Sequence, residues 1–137
     1  MIRIIIAGSR DFDNYSYLES QCHKIFYSLS KEDNVLTGRI QEDIMNMEII
    51  SGTAKGADTL GEEFASNCCI KVKRFPANWD IHGKSAGYIR NEQMAKYAIS
   101  DGNYGVLIAF WDGKSRGTKH MIDLAKKYGL KIYVVNY

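Results

Sequence analysis

A chain of 137 residues, 45% hydrophobic and 25% charged, has the balance of a soluble globular protein. At that size a fold hides roughly 68–70% of the unfolded-chain surface, which suits one domain over residues 1–137 and not two. A formal net charge of +2 argues against a partner chosen by bulk charge, so any anion site has to be local. Three cysteines, two of them adjacent, fit a reducing compartment better than a disulfide framework and lack zinc spacing.

The first predicted element is Ile2 to Ala7, a short β-branched run stopped by Gly8, as expected of a strand buried on both faces. It is read as a strand and not as a signal peptide, and no stretch nears the roughly 18 apolar residues of a membrane span, so a cytoplasmic protein without membrane contact is expected. Tyr15, Leu18, Cys22, Ile25, Phe26 and Leu29 recur at steps of three and four, predicting a helix capped by Asp13 or Asn14. Ser30 to Asn46 is polar and irregular and reads as a surface excursion. Met47 to Ser51 is the second predicted strand, followed by a helical face of Ala57, Leu60, Phe64, Ala65 and Cys68.

Ile70 to Phe75 alternates as a strand near a sheet edge does. Pro76 opens a loop to about Lys84, and Ser85 is placed to cap a helix carrying Ala86, Ile89, Met94, Tyr97 and Ala98. Tyr104 to Trp111 forms a fourth strand. A last helix through Thr118, Met121, Ile122, Ala125 and Tyr128 stops at Gly129 before the strand Lys131 to Asn136. Alternating strands and helices predict an α/β fold: one doubly wound, Rossmann-like domain with a mainly parallel sheet of about five strands and helices on both faces.

Ligands of such sheets bind outside the carboxyl ends of the strands. Three loops there combine glycine, hydroxyl and cation: Gly8, Ser9 and Arg10; Ser51, Gly52, Thr53, Gly56 and Asp58 around Lys55; and Asp112, Gly113, Ser115, Arg116, Gly117 and Thr118. Glycine lets a backbone approach a ligand, helix-start amides donate to oxyanions, and arginine or lysine neutralises the remaining charge, so phosphate is the natural guest. Neither GxGxxG nor a Walker loop is present, which argues against the standard dinucleotide and P-loop readings, and no cofactor or metal is required.

Gly8-Ser9-Arg10, the segment Ser51 to Asp58, Pro76 to Asp80 continuing through Gly83 to Gly87, Arg90-Asn91 with Met94, and Phe110 to Thr118 occur together and in order. On these residues the chain resembles the YspA/YpsA-related members of the SLOG superfamily over nearly its whole length apart from Ser30 to Asn46. The resemblance implies a Rossmann-like, often oligomeric domain, here a homo-oligomer, that binds nucleotides or nucleotide-derived molecules as a sensor or effector in prokaryotic conflict and stress systems. It also brings two alternatives: LOG-type phosphoribohydrolases, which cleave the N-glycosidic bond of nucleoside monophosphates, and DprA-like single-stranded DNA binding. Arg90 with Met94 matches the LOG helix-borne arginine, and Gly117-Thr118 matches its phosphate loop. The LOG catalytic glutamate falls on Met121, which carries no carboxylate.

In an N-glycosidase the expected catalytic residues are therefore Asp112 and Arg90, with Asp80 and Asp58 as further carboxylates to steady an oxocarbenium-like centre. Each site residue has a plainer reading. Asp112 suits an Asp-Gly turn, and Asp58 suits a helix first turn as well as it suits ribose hydroxyls. Arg10 and Arg116 clamp phosphate or are solvated, Lys84 and Arg90 share the start of one helix, and Arg90 otherwise forms a buried ion pair. Trp79 stacks on a base or anchors an interface, and Asn91 belongs to the same ligand set. Nucleotide sensing is the favoured expectation, since net charge gives nucleic-acid binding little support.

Overall fold

The computed structural model describes all 137 residues. In chain order they form β1 (Ile2–Gly8), α1 (Tyr15–Lys31), α2 (Ile40–Met45), β2 (Met47–Ser51), α3 (Ala57–Asn67), β3 (Lys71–Arg74), α4 (Trp79–His82), α5 (Ala86–Ile99), β4 (Tyr104–Trp111), α6 (Arg116–Tyr128) and β5 (Lys131–Asn136). The five strands make one all-parallel sheet in the order β3-β2-β1-β4-β5, so the expected α/β, Rossmann-like architecture is present. No helix is long and apolar enough to cross a membrane.

The apolar runs of β1, interrupted only by Arg3, and of β4 follow from their central position, because successive side chains enter different cores. Ile4, Ile6, Val106, Ile108 and Phe110 pack with Leu18 and Cys22 of α1 and Phe64 and Ala65 of α3. Ile5, Ala7, Leu107 and Ala109 pack on the other face with Met94, Ala95 and Ala98 of α5 and Met121, Ile122 and Ala125 of α6. A strand covered on both faces needs apolar side chains or partnered polar ones, as Arg3 is by the Tyr97 carbonyl, Ser100 and Glu48, whereas edge strand β3 leaves Lys71, Lys73 and Arg74 exposed.

Local chemistry sets the boundaries. Asn14 caps α1 by accepting from the Tyr17 amide at 3.1 Å. Gly129 ends α6 in the left-handed conformation, φ 77°, and the Leu130 amide then bonds the Ala125 carbonyl at 2.9 Å.

Three expectations need correction. The 30–46 stretch is more ordered than its polarity suggests: α1 runs to Lys31, Leu36 is buried, and the Asp43 carboxylate collects the Thr37 amide and hydroxyl and the Gly38 amide at 2.8, 2.8 and 3.0 Å beside α2. The loop after Pro76 contains α4 and a 3-10 turn, Gly83–Ser85. Ser85 precedes α5 without capping it: its hydroxyl donates to the His82 carbonyl at 2.9 Å, and the 3-10 turn leads straight into the helix.

Candidate functional site

The carboxyl ends of β1 and β4 lie side by side where the strand order reverses, β1 leading away to β2 and β3 and β4 to β5. Loops leaving the two strands turn to opposite faces there, and a crevice opens between them. In this protein it is a cleft of about 470 Å³.

Twelve of the residues singled out from sequence line it: Gly8, Ser9 and Arg10 after β1; Asp58 of α3; Trp79 of α4; Lys84, Arg90 and Asn91 at the start of α5; and Asp112, Ser115, Gly117 and Thr118 after β4. Six others do not: Ser51, Gly52, Thr53, Gly56, Gly113 and Arg116. Most of these shape the loops instead. Ser51 is buried, donates to Glu62 at 2.6 Å and accepts from the Thr53 amide at 3.0 Å. Thr53 adopts φ 63°, rare for a β-branched residue. Gly56, at φ 92°, packs on the backbone of the β1 loop, where a Cβ would come within 2.6 Å of the Arg10 carbonyl oxygen. Arg116 is exposed on the first turn of α6.

The electrostatics divide the cleft in two. At its floor, Asp58 accepts from the Ala54 amide at 3.2 Å. Burial pushes its carboxyl up to about 6, against the opposing pull of that amide and of the Arg90 charge. Arg90 is itself lowered by burial, and its guanidinium donates to the Gly52 carbonyl and, through Nε, to Asn91 Oδ1 at 3.0 Å. Asn91 Nδ2 reaches the Gly117 carbonyl and His120 Nδ1, each at 3.3 Å, so this amide braces Arg90 against the start of α6. Because Asn91 Oδ1 is occupied by Arg90, the Nδ2 contact makes His120 Nδ1 the acceptor and leaves the ring proton on Nε2. Burial lowers the His120 pKa, which favours that neutral ring.

At the mouth, Arg10 and Lys84 form no ion pair. The Arg10 guanidinium lies 5.9 Å from the centre of the half-exposed Trp79 ring. Asp112 accepts from the Ser115 and Lys114 amides, both at 2.8 Å, and these bonds hold its carboxyl below the usual range. It is thus a turn residue and a cleft residue at once.

Gly117 stands apart from the glycines that packing demands. Nothing lies within 4 Å of where its Cβ would be, and its φ needs no glycine. A helix-start backbone open to the cleft is what close approach by a ligand requires.

Sequence reasoning missed Tyr88 in the cleft lining and, outside the lining, the Tyr137 partner of Asp11. Tyr88 lies three residues before Asn91 on the cleft side of α5, a spacing readable from sequence. Tyr137 was not readable: its hydroxyl donates to Asp11 at 2.8 Å across 126 positions of chain. Met121 lines the cleft as a buried thioether, so the position matching the LOG glutamate faces the site without a carboxylate. No group of three His, Cys, Asp or Glu side chains is gathered as a metal site would need.

The family YAcAr, described as the YspA, cpYpsA-related SLOG family, matches residues 33–82. That span takes in most of the 30–46 excursion, which the motif resemblance had set aside, and stops before the α5 and α6 parts of the cleft. The Gene 61 protein of Mycobacterium phage D29 is 26% identical over 141 residues, covering 96% of this chain and 94% of that protein. No solved structure gives a significant match. The phage relative's name specifies no function.

Proposed function

As a chain matched to the YspA, cpYpsA-related SLOG family over residues 33–82, this protein, we propose, binds a nucleotide or nucleotide-derived phosphate ligand in the β1/β4 cleft and acts as a sensor or effector domain. One observation carries the reading: at the switch point of the sheet, two cations without acid partners, Arg10 and Lys84, share a cleft with the open backbone of Gly117 at a helix start. Guanidinium, ammonium and helix-start amides each stabilise a phosphate oxygen, and together they offset the dehydration of the anion. Trp79 beside Arg10 offers a flat apolar face to a base.

Two of the expected residues change role. Asn91 has its amide committed to Arg90, Gly117 and His120, and we assign it to holding the site rather than to the ligand. Arg116, outside the cleft lining, serves as the comparison residue. The absence of a carboxylate at Met121 favours binding over LOG-type hydrolysis.

Thermal shift against nucleotides, cyclic nucleotides, ADP-ribose and NAD derivatives tests this. A ligand at a hundred times its Kd stabilises the fold by about 2.7 kcal/mol, enough to read. Arg10→Ala and Lys84→Ala are expected to lose the shift and Arg116→Ala to keep it, with the ligand recovered intact by chromatography. Release of free base would replace the sensor with a glycosidase. No shift across the panel would overturn the nucleotide reading.

A further inference from the structure

One wall of the proposed anion cleft has the wrong sign for a phosphate, and the inference drawn from it rests on that reading. Asp112 lines the cleft with one carboxylate oxygen, Oδ1, held by the Lys114 and Ser115 amides, while Oδ2 receives no hydrogen bond. Those two amide bonds keep the group ionised. Beside it the Ser9 hydroxyl, in a residue only 3% exposed, lies within reach of Asp112 and Tyr137 yet completes a hydrogen bond with neither. The set around Asp112 thus holds a buried hydroxyl without a partner beside a carboxylate oxygen without a donor.

The other two carboxylates of the cleft are already engaged. Asp58 is turned to the Ala54 amide and to Arg90, and Asp11 receives the Tyr137 hydroxyl. A charged carboxylate sharing a small cleft with a phosphate repels it unless the ligand itself brings a donor to that oxygen. Of the neutral parts of a nucleotide, base N–H groups and sugar hydroxyls both supply such donors; with the base on the Trp79 face, the vicinal hydroxyl pair is left to supply two to one carboxylate. We propose that Asp112 is the sugar-reading residue of the cleft: its Oδ2 accepts from the ribose diol while the phosphate lies toward Arg10 and Lys84, so that the ligand class is ribonucleotide and not deoxyribonucleotide. The hydroxyl-reading role that sequence offered to Asp58 passes to Asp112, because Asp58 faces Arg90 and Asp11 is bonded by Tyr137, whereas Asp112 receives only backbone amides, both on one oxygen.

The test is calorimetric titration of wild type and Asp112→Asn with AMP, GMP, CMP and UMP, their 2′-deoxy counterparts, pyrophosphate and ADP-ribose. Asparagine keeps Oδ1 for the Lys114 and Ser115 amides but replaces the accepting Oδ2 with a donor. At least one ribonucleotide is expected to bind about tenfold more tightly than its deoxy form, the size of one hydrogen bond to a charged group, and Asp112→Asn is expected to erase that preference. Equal affinity of every ribo and deoxy pair, or a preference that survives in Asp112→Asn, overturns the assignment and leaves the anion cleft standing. So does binding of pyrophosphate with neither a ribonucleotide nor ADP-ribose bound. Failure of every phosphate compound overturns both readings. If Asp112→Asn does not fold, equal affinity of every ribo and deoxy pair in wild type still overturns the assignment, and Asp112→Ser takes the place of asparagine in the test of its loss.

Discussion

Asp58 and Arg90 face each other across the Cα of Gly52, with no room for a side chain between them. A Cβ on Gly52 would lie 2.7 Å from Asp58 Oδ2 and 2.8 Å from Arg90 Nη1. Asp58 comes from α3, Arg90 from α5 and Gly52 from the end of β2, so three elements converge where the cleft meets the sheet. This contact, rather than a ligand, accounts for the glycine.

Gly52→Ala is therefore expected to lower stability by about 1–3 kcal/mol, the usual penalty for inserting a methyl group into a filled space. Urea unfolding checks it. An unchanged midpoint would mean that Arg90 swings away freely and does not brace the cleft.

Asp58 also gives the fold a pH signature. Its carboxyl is raised from 3.8 to about 6 by burial, so the folded state binds more protons than the unfolded chain between those values. Its contribution to stability is full below pH 4, falls as pH rises to about 6, and then levels, the reverse of a salt-bridged carboxylate. Measured against Asp58→Asn, which does not titrate, wild type should lose up to about 3 kcal/mol of relative stability between pH 4 and pH 7. Urea midpoints for the two proteins across that range test the sign; a flat difference would show that Arg90 keeps Asp58 ionised throughout.

Gly117 tests the opposite case, a glycine that the fold does not need. Gly117→Ala should leave the free protein as stable or raise it by up to about 0.5–1 kcal/mol, because alanine is the better helix residue and meets no atom within 4 Å. The same methyl group should reduce the ligand-induced thermal shift by narrowing the approach to the helix start. A stabilised protein with an undiminished shift would place the phosphate elsewhere in the cleft.

What could be read from sequence follows short-range rules. β1, β2 and β4 begin and end close to where their apolar runs do, because an interior strand admits a polar residue only with a partner, as Arg3 of β1 and Glu48 of β2 supply to each other. The loops after β1 and β4 were legible as cleft walls for a related reason: in a doubly wound sheet, strand direction alone dictates which loops surround the crevice. The 30–46 stretch was not legible, since its order comes from isolated contacts without a period: Leu36 buried in the core, and Asp43 gathering donors five and six residues away.

Sequence by itself determined the α/β class, the parallel sheet and the loops that form the cleft, because periodicity and turn chemistry are local properties of the chain. Only the tertiary structure decided what each loop residue does. Gly52 and Gly117 look alike in sequence, yet one is required by an acid and a base packed against it and the other faces open space. Asp58 and Asp112 are both aspartates beside a helix start, yet burial pushes one up and two amides hold the other down. The amides on Asp112 lie two and three positions away, but the burial of Asp58 and the Arg90 contact with Gly52, 38 positions apart, arise only when the strands have brought those segments to the same end of the sheet.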